Sequence, residues 1–441
     1  MYLLYEVFLY LVLLIALPWF LLTGVLRGKY LVNFPARAGW FRHRREAHDL
    51  WIHAVSVGEA MAAKPVVDEI LRQRPGTSIV FTTTTLTGQA QARRLYPEAT
   101  VTYFPFDFAF AVRRFLEHHR PQVFATMETE IWPNVTRIAR ERGLRLLLAN
   151  GRISDRSFPR YRAFRWIVGH VLRKYDRILA REGTDRDRFL IMGAPPAIVE
   201  VSGNVKFDYE PDDTPLEIAP QLEALIAGRK VVVFGSTMEG EDEMLLPEIE
   251  DLLAHHRVLV VIAPRKPERF ELVAALLATS SLRFVRRSEM TGAAASVSSN
   301  ERPGALPVLP GPSPSVTQAP PDVLLLDTFG ELARIYRYAT AAFVGGTLVE
   351  VGGHNPIEAA AAGVPVAFGP SMSNFREIAQ LFLRNQAGAE VRSAAGAVEF
   401  AARMLEEPEL QRAWGERARK TVLQNRGASK HTARRIVELL A

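Results

Sequence analysis

Short apolar runs recur along this chain with amphipathic stretches between them, and that alternation limits the fold more than any other feature. Residues 51–57, 78–83, 123–127, 144–149 and 198–201 read as strands, while 60–72 and 112–119 carry the apolar spacing of helices. A β-α-β order of this kind builds a parallel sheet with helices on its faces, because each crossover must bring the chain back to the same end of the sheet. A second series follows the polar, proline-marked segment 209–220, with strands at 231–234, 258–262, 323–326, 341–344 and 365–368. The expected fold class is therefore α/β, with two doubly wound, Rossmann-like domains facing a cleft and ligands beyond the carboxyl ends of the strands. Residues 31–208 form the first domain in this reading and 209–441 the second. The stretch 291–320, rich in Ala, Ser and Pro, shows neither period and reads as a flexible surface insertion. Its deletion is expected to leave folding and activity nearly intact.

The N-terminus adds a membrane element. Residues 7–26 are uncharged, and a helix of that length, rising about 1.5 Å per residue, roughly matches the hydrocarbon core of a bilayer. No basic region precedes the run and no A-x-A site closes it, so residues 1–30 read as a retained anchor instead of a cleaved signal. Arg27, Lys29, Arg37, Arg42, Arg44 and Arg45 follow, which places the rest of the chain on the cytoplasmic side. Pro18 and Glu6 leave room for a shallow helix lying in the interface. A formal charge of +6 over 441 residues favours acidic partners. Cysteine is absent, which excludes disulfides, thiolate metal sites and cysteine nucleophiles together.

Candidate chemistry gathers at predicted strand ends. Glu59 follows Gly58 at a strand-to-helix turn, and Glu128 and Glu130 close the strand at 123–127. Alternation sends these last two to one face, where two nearby carboxylates favour a raised pKa for one of them, unless an arginine binds it. Lys206 lies just after a strand, Arg265 ends another, and Gly330 and Glu331 a third. The stretch GGTLVEVGGHNPIEAAA, 345–361, carries two glycine pairs before Asn355, Pro356, Ile357 and Glu358. Asn355 suits an N-cap, Pro356 the first helical position and Glu358 the third, so a well-started helix accounts for all of them. A sharper reading adds a ligand: the glycines let it approach the backbone, and the helix start faces a nucleotide phosphate. Arg156, Arg160, Arg162, Arg165, Arg173 and Lys174 face only Asp155 and Asp176 in sequence, which suits anionic headgroups or a solvated helix face. Histidines do not pair at ligand spacing and no G-x-S-x-G occurs, so neither a metal site nor a serine triad is expected.

The motifs SVGE (56–59), METEIWPN (127–134), GNVKFD (203–208), APRKPERF (263–270), DTFGEL (327–332) and FVGGTLVEVGGHNPIEAAA (343–361), in this order, closely resemble the 3-deoxy-D-manno-octulosonic acid (Kdo) transferases. The resemblance implies a GT-B fold, CMP-Kdo as donor and lipid IVA, the lipid A precursor, as acceptor at the cytoplasmic face of a bacterial inner membrane. It implies Glu59 as general base, Glu128 and Lys206 as stabilisers of the transition state, and inversion at the anomeric carbon without metal or cofactor. Pro264, Arg265, Phe329, Gly330, Glu331, Asn355, Pro356, Ile357 and Glu358 match the CMP-binding segments. CMP-Kdo, lipid IVA and an anionic membrane surface are the expected partners, and nucleic acid is not. The chain departs from the family pattern at Lys266 and Ser371, where histidine is common, and at Phe329, where methionine is usual. Two rival readings are a GT-B enzyme acting on a UDP-sugar and a non-catalytic binder of anionic lipid.

Overall fold

The structure, a computed structural model, describes residues 2–27, 34–41, 45–211, 214–290 and 320–441, with backbone alone at 17–27. Lys29, Arg42, Arg44 and the insertion read at 291–320, Pro320 excepted, lie outside the described residues. The chain divides into two compact units, Met1–Asp208 with Asn425–Ala441, and Tyr209–Gln424.

The first unit is built on seven parallel strands: β1 (Leu50–His53), β2 (Ile79–Thr83), β3 (Thr100–Tyr103), β4 (Val123–Met127), β5 (Arg145–Gly151), β6 (Arg177–Ala180) and β7 (Val199–Val201). Their order is β3-β2-β1-β4-β5-β6-β7, so the winding reverses between β1 and β4. Both faces of the sheet are covered. Leu50 and Ile52 join one buried layer and Trp51 the other, which is why β1 reads as a continuous apolar run instead of an alternating one.

The second unit repeats the plan with β8 (Lys230–Thr237), β9 (Val258–Pro264), β10 (Phe284–Arg286), β11 (Val323–Leu325), β12 (Ala341–Val344), β13 (Val366–Phe368) and β14 (Gly388–Glu390). The order is β10-β11-β9-β8-β12-β13-β14, all parallel, with the reversal between β8 and β12. Val232, Phe234, Val260, Ile262 and Phe343 fill its core. The sequence reading holds no strand at β3, β6, β10 or β14. Each has three or four residues, and β3, β10 and β14 are outermost and only partly buried, which leaves a weak apolar signal.

Two expectations need correction. The last helix, Ala428–Leu440, belongs to the first unit: Ala433, Ile436 and Leu440 pack into the layer that holds Leu50. Asp208 accepts the Gly427 and Ser429 N–H groups at its start, and Arg74 donates to the Leu440 carbonyl at its end. An amphipathic helix shows in sequence that it covers a sheet, not which sheet. The N-terminal helix runs from Tyr2 to Arg27. Its first turns are bonded to the first unit: Tyr5 donates to Asp107 at 2.8 Å, and Glu6 accepts from the Ala109 N–H at 2.9 Å and from Asn134 at 2.5 Å. Among the described residues no helix is long and apolar enough to cross a membrane, so the spanning anchor is not shown. The second correction concerns the tolerance of deleting 291–320. β10 and β11 are parallel neighbours, with Phe284 opposite Val323, and the residues joining them must return the chain to the other end of the sheet. Such a crossover takes about a dozen residues or more, whereas that deletion leaves only 287–290 and 321–322.

Candidate active site

In the first unit the carboxyl ends of β1, β4, β5 and β6 bring together acidic and basic groups that are remote in sequence. Glu59 sits in the first turn of the Val57–Gln73 helix, directly after β1. Its Oε2 accepts the Val55 N–H at 2.8 Å and its Oε1 the Ser56 hydroxyl at 3.3 Å. The side chain thus stiffens the helix entrance while its carboxyl group stays half-buried. Burial raises its pKa to about 7, the Glu128 and Glu130 carboxylates add to the rise, and the Val55 N–H opposes it.

Glu128 is reached by a break in the strand. β4 ends at Met127, and Glu128 takes a φ of +58°, a left-handed conformation that side chains other than Asn and Asp seldom adopt. Its N–H still bonds the Ala149 carbonyl, at 2.8 Å. The alternation expected to place Glu128 and Glu130 on one face therefore stops one residue early, yet the two carboxylates still interact. Glu130, with Trp132 Nε1 donating at 2.8 Å, is raised by burial to about 7. Glu128 goes the other way. Burial pushes its pKa up, but Arg181, Lys206 and Arg152 together hold it below the ordinary carboxylate value. Arg181, 5 % exposed, pairs directly with Glu128. Lys206 rides on a short turn, Val205–Asp208, whose backbone is held by Asn150 and Asn204. One ionised carboxylate, two protonatable ones and a set of cations thus share one end of the sheet.

The second unit assembles its own group at the ends of β9, β11 and β12. Pro264 closes β9, and Arg265, exposed, ties its backbone N–H to the Thr237 carbonyl at 2.9 Å. Its positive charge acts on both His354 and Glu358. Burial and Arg265 lower His354 to about 4, so the ring is neutral at physiological pH. Burial raises Glu358, against a hydrogen bond from Asn355 and the charge of Arg265. Asn355 Oδ1 accepts the Ile357 N–H at 3.1 Å, but the N-cap position falls on Pro356 and the helix opens at Ile357, one residue later than the capping pattern implied. The helix that follows is short, Ile357–Ala361, so its dipole is small and the positive charge here is that of Arg265. Phe329 is 56 % exposed with its ring 5.6 Å from Phe270. The Glu331 carboxylate is taken up by Arg287, at 2.8 Å, and by the Thr328 hydroxyl.

The glycine pairs serve the chain's own packing. A Cβ on Gly345 would stand 2.6 Å from the Ser236 carbonyl, and one on Gly346 would stand 2.7 Å from the His354 ring. At Gly352 and Gly353 the space is filled by Asn374, Ser371 and Met372, and both have positive φ. Glu241, fully buried, organises the loop: one oxygen accepts the N–H groups of Met238 and Gly346, the other those of Thr347 and Leu348. Ser371, one of the departures noted above, accepts the Gly352 N–H at 3.1 Å. Arg181, Asn150 and Glu241 escaped the sequence reading. For Arg181 the signal was its place after a strand end, hidden because β6 is only four residues long.

Residues 32–209 match the family model of 3-deoxy-D-manno-octulosonic-acid transferase (kdotransferase), and residues 323–421 match that of glycosyl transferases group 1. The chain is 35 % identical over 422 residues to the 3-deoxy-D-manno-octulosonic acid transferase of Bordetella pertussis, covering 92 % of this chain and 91 % of that one. It is 32 % identical over 425 residues to the protein of the same name from Haemophilus influenzae, covering 95 % and 93 %. Among solved structures it is similar to UDP-GlcNAc 2-epimerase from Neisseria meningitidis, with a TM-score of 0.57, 12 % identity, and 90 % and 99 % of the two chains covered. A glycosyltransferase from Rickettsia africae gives 0.55 at 12 % identity, covering 90 % and 98 %. At that identity the likeness concerns the fold alone, two Rossmann-like domains of the GT-B type. With six ordered motifs, the strand-end groups they carry and relatives matched over nearly their whole length, this chain belongs to the Kdo transferase family of glycosyltransferases.

Proposed function

We propose that the chain transfers Kdo from CMP-Kdo to lipid IVA in lipopolysaccharide core biosynthesis, with inversion at the anomeric carbon and Glu59 as general base. The observation that carries this reading is the state of Glu59: half-buried, raised to about 7 by burial and by Glu128, at the mouth of a helix where an acceptor hydroxyl can reach it. A base poised near working pH combines availability with proton-accepting power. Glu59 takes the proton from the primary hydroxyl of the acceptor glucosamine as that oxygen attacks the anomeric carbon of Kdo. The bond to the phosphate breaks on the opposite face and CMP leaves with the electron pair. The ionised Glu128 stabilises positive charge developing on the sugar, and Lys206 offsets negative charge on the departing phosphate. Arg265 attracts the donor's anionic groups, Asn355 and Glu358 hold the nucleotide sugar, and the backbone of 329–331 lines its base. Lys206 and Arg265 supply the positive charge, so the scheme uses neither metal nor cofactor.

The same reading places the enzyme on an anionic membrane surface, where its lipid acceptor resides. The N-terminal helix supports this by exposing Leu3, Leu4, Val7, Phe8, Leu11 and Leu14 while its Tyr5 and Glu6 grip the first unit. Phe164 and Trp166, 58 % and 64 % exposed, stand among the exposed Arg160, Arg162 and Arg165. Asp155 pairs with Arg188, and Asp176 with Arg140 and Arg145. Mass spectrometry of lipid IVA incubated with CMP-Kdo and the wild type, beside Glu59→Ala, tests the proposal. A Kdo-bearing product and a loss of about a hundredfold or more in the variant are expected. No product from folded wild type overturns the transfer, and an active variant removes Glu59 as the base.

A further inference from the structure

Resting on the transfer reading above, we propose that Arg181 is a positioning residue of the reaction, and that Asn150 is the joint through which one guanidinium fixes both Glu128 and the turn carrying Lys206.

Arg181 follows β6 directly and is 5 % exposed. One terminal nitrogen pairs with Glu128, at the end of β4, and Nε donates to the Asn150 carbonyl, in β5, at 3.2 Å. Three neighbouring strand ends are thus fastened by one rigid fork. Asn150 carries the fixture further: it is fully buried, its Oδ1 accepts the Val205 N–H at 3.3 Å, and Val205 opens the turn that presents Lys206. Its own Nδ2 is buried with no partner among the described residues, so the amide is held here despite one unsatisfied donor. Both Asn150 and Glu128 have positive φ, +54° and +58°. Strained conformations of this kind persist only where the surroundings enforce them, and Arg181 bonds to both residues. Arginine suits the task because its planar fork serves a carboxylate and a carbonyl at once, whereas a lysine offers one point charge. Arg181 lies behind Glu128 and acts through it.

The test compares Arg181→Met, Arg181→Lys and Asn150→Gly with wild type for kcat, for KM toward CMP-Kdo and toward lipid IVA, and for thermal shift with CMP. Asn150→Gly removes the amide while keeping a backbone that accepts positive φ. In Arg181→Met, kcat should fall about a hundredfold with both KM values within about threefold, the pattern of an interaction needed in the transition state alone. Arg181→Lys should recover about tenfold of that loss, and Asn150→Gly should lose about tenfold in kcat. The CMP shift belongs to the other unit and should be unchanged throughout. Rises in KM at constant kcat, or kcat within about threefold of wild type, overturn the proposal. If Arg181→Met fails to fold, Arg181→Lys and Asn150→Gly decide in the same way. An active wild type with indifferent variants sinks this inference alone, whereas a wild type without product sinks the transfer reading and this role with it.

Discussion

Glu59 starts a helix and holds a proton with the same two oxygens, and the two tasks pull its ionisation in opposite directions. The Val55 N–H favours the anion, whereas burial and Glu128 favour the acid and prevail. The folded protein therefore keeps a proton that the unfolded chain, with an ordinary carboxyl near 4.5, has already released. The sign follows: stability from this group is intact below about pH 4.5 and declines as pH rises through about 7. Glu59→Gln should raise the melting temperature by about 2 °C or more at pH 8 and change it little at pH 4.5, which thermal denaturation at the two pH values checks. Activity moves the opposite way: kcat of the wild type should climb through an acid limb near pH 7, and a profile flat from about pH 5 to 9 counts against a carboxylate base. Glu59, Glu128 and Lys206 were legible because their motifs are contiguous in sequence. The left-handed backbone at Glu128 and its partner Arg181 were not, since they arise where three strands end side by side.

Between residues and whole units stands the loop that follows β12. Four N–H groups converge on the two oxygens of Glu241, and the Gly345 Cα faces the backbone of Ser236 and Thr237. Glu241→Gln replaces one acceptor oxygen with a donor, so two of those N–H groups lose their bond. Amide exchange at Gly346, Thr347 and Leu348 should quicken about tenfold or more, and the thermal shift with CMP should shrink. Unchanged exchange at these amides shows that the loop does not depend on Glu241. Gly345→Ala presses a methyl against backbone and should cost roughly 1–3 kcal/mol, read from denaturant unfolding of the full chain. The helix start was legible to within one residue from Asn355 and Pro356, but the close packing around the glycines was not. Sequence marks a glycine as a place of close approach; which group comes close is set by the neighbouring loop.

On the scale of the molecule, charge and apolar surface make separate predictions. Co-sedimentation of wild type with phosphatidylglycerol vesicles should weaken as salt rises, and Arg160→Glu with Arg162→Glu and Arg165→Glu should lower binding about tenfold or more. Equal binding of the triple variant removes the arginine patch from the membrane reading. Replacing 291–319 with a Gly/Ser linker of about twelve residues should leave folding intact, whereas direct closure should strip the contacts of Arg287 and Ser288 with Glu331 and Asp327. By itself the sequence determined the two α/β units, the boundary near residue 209, the family and the contiguous motifs, because apolar periodicity and short motifs are local and survive in one dimension. Only the tertiary structure decided that the last helix returns to the first unit, that the N-terminal helix is fastened by Tyr5 and Glu6, and that Arg181 and Glu241 hold their sites together. Each of these is a pairing of residues far apart in the chain, and such pairings are set by which buried faces and unmet hydrogen bonds meet on folding.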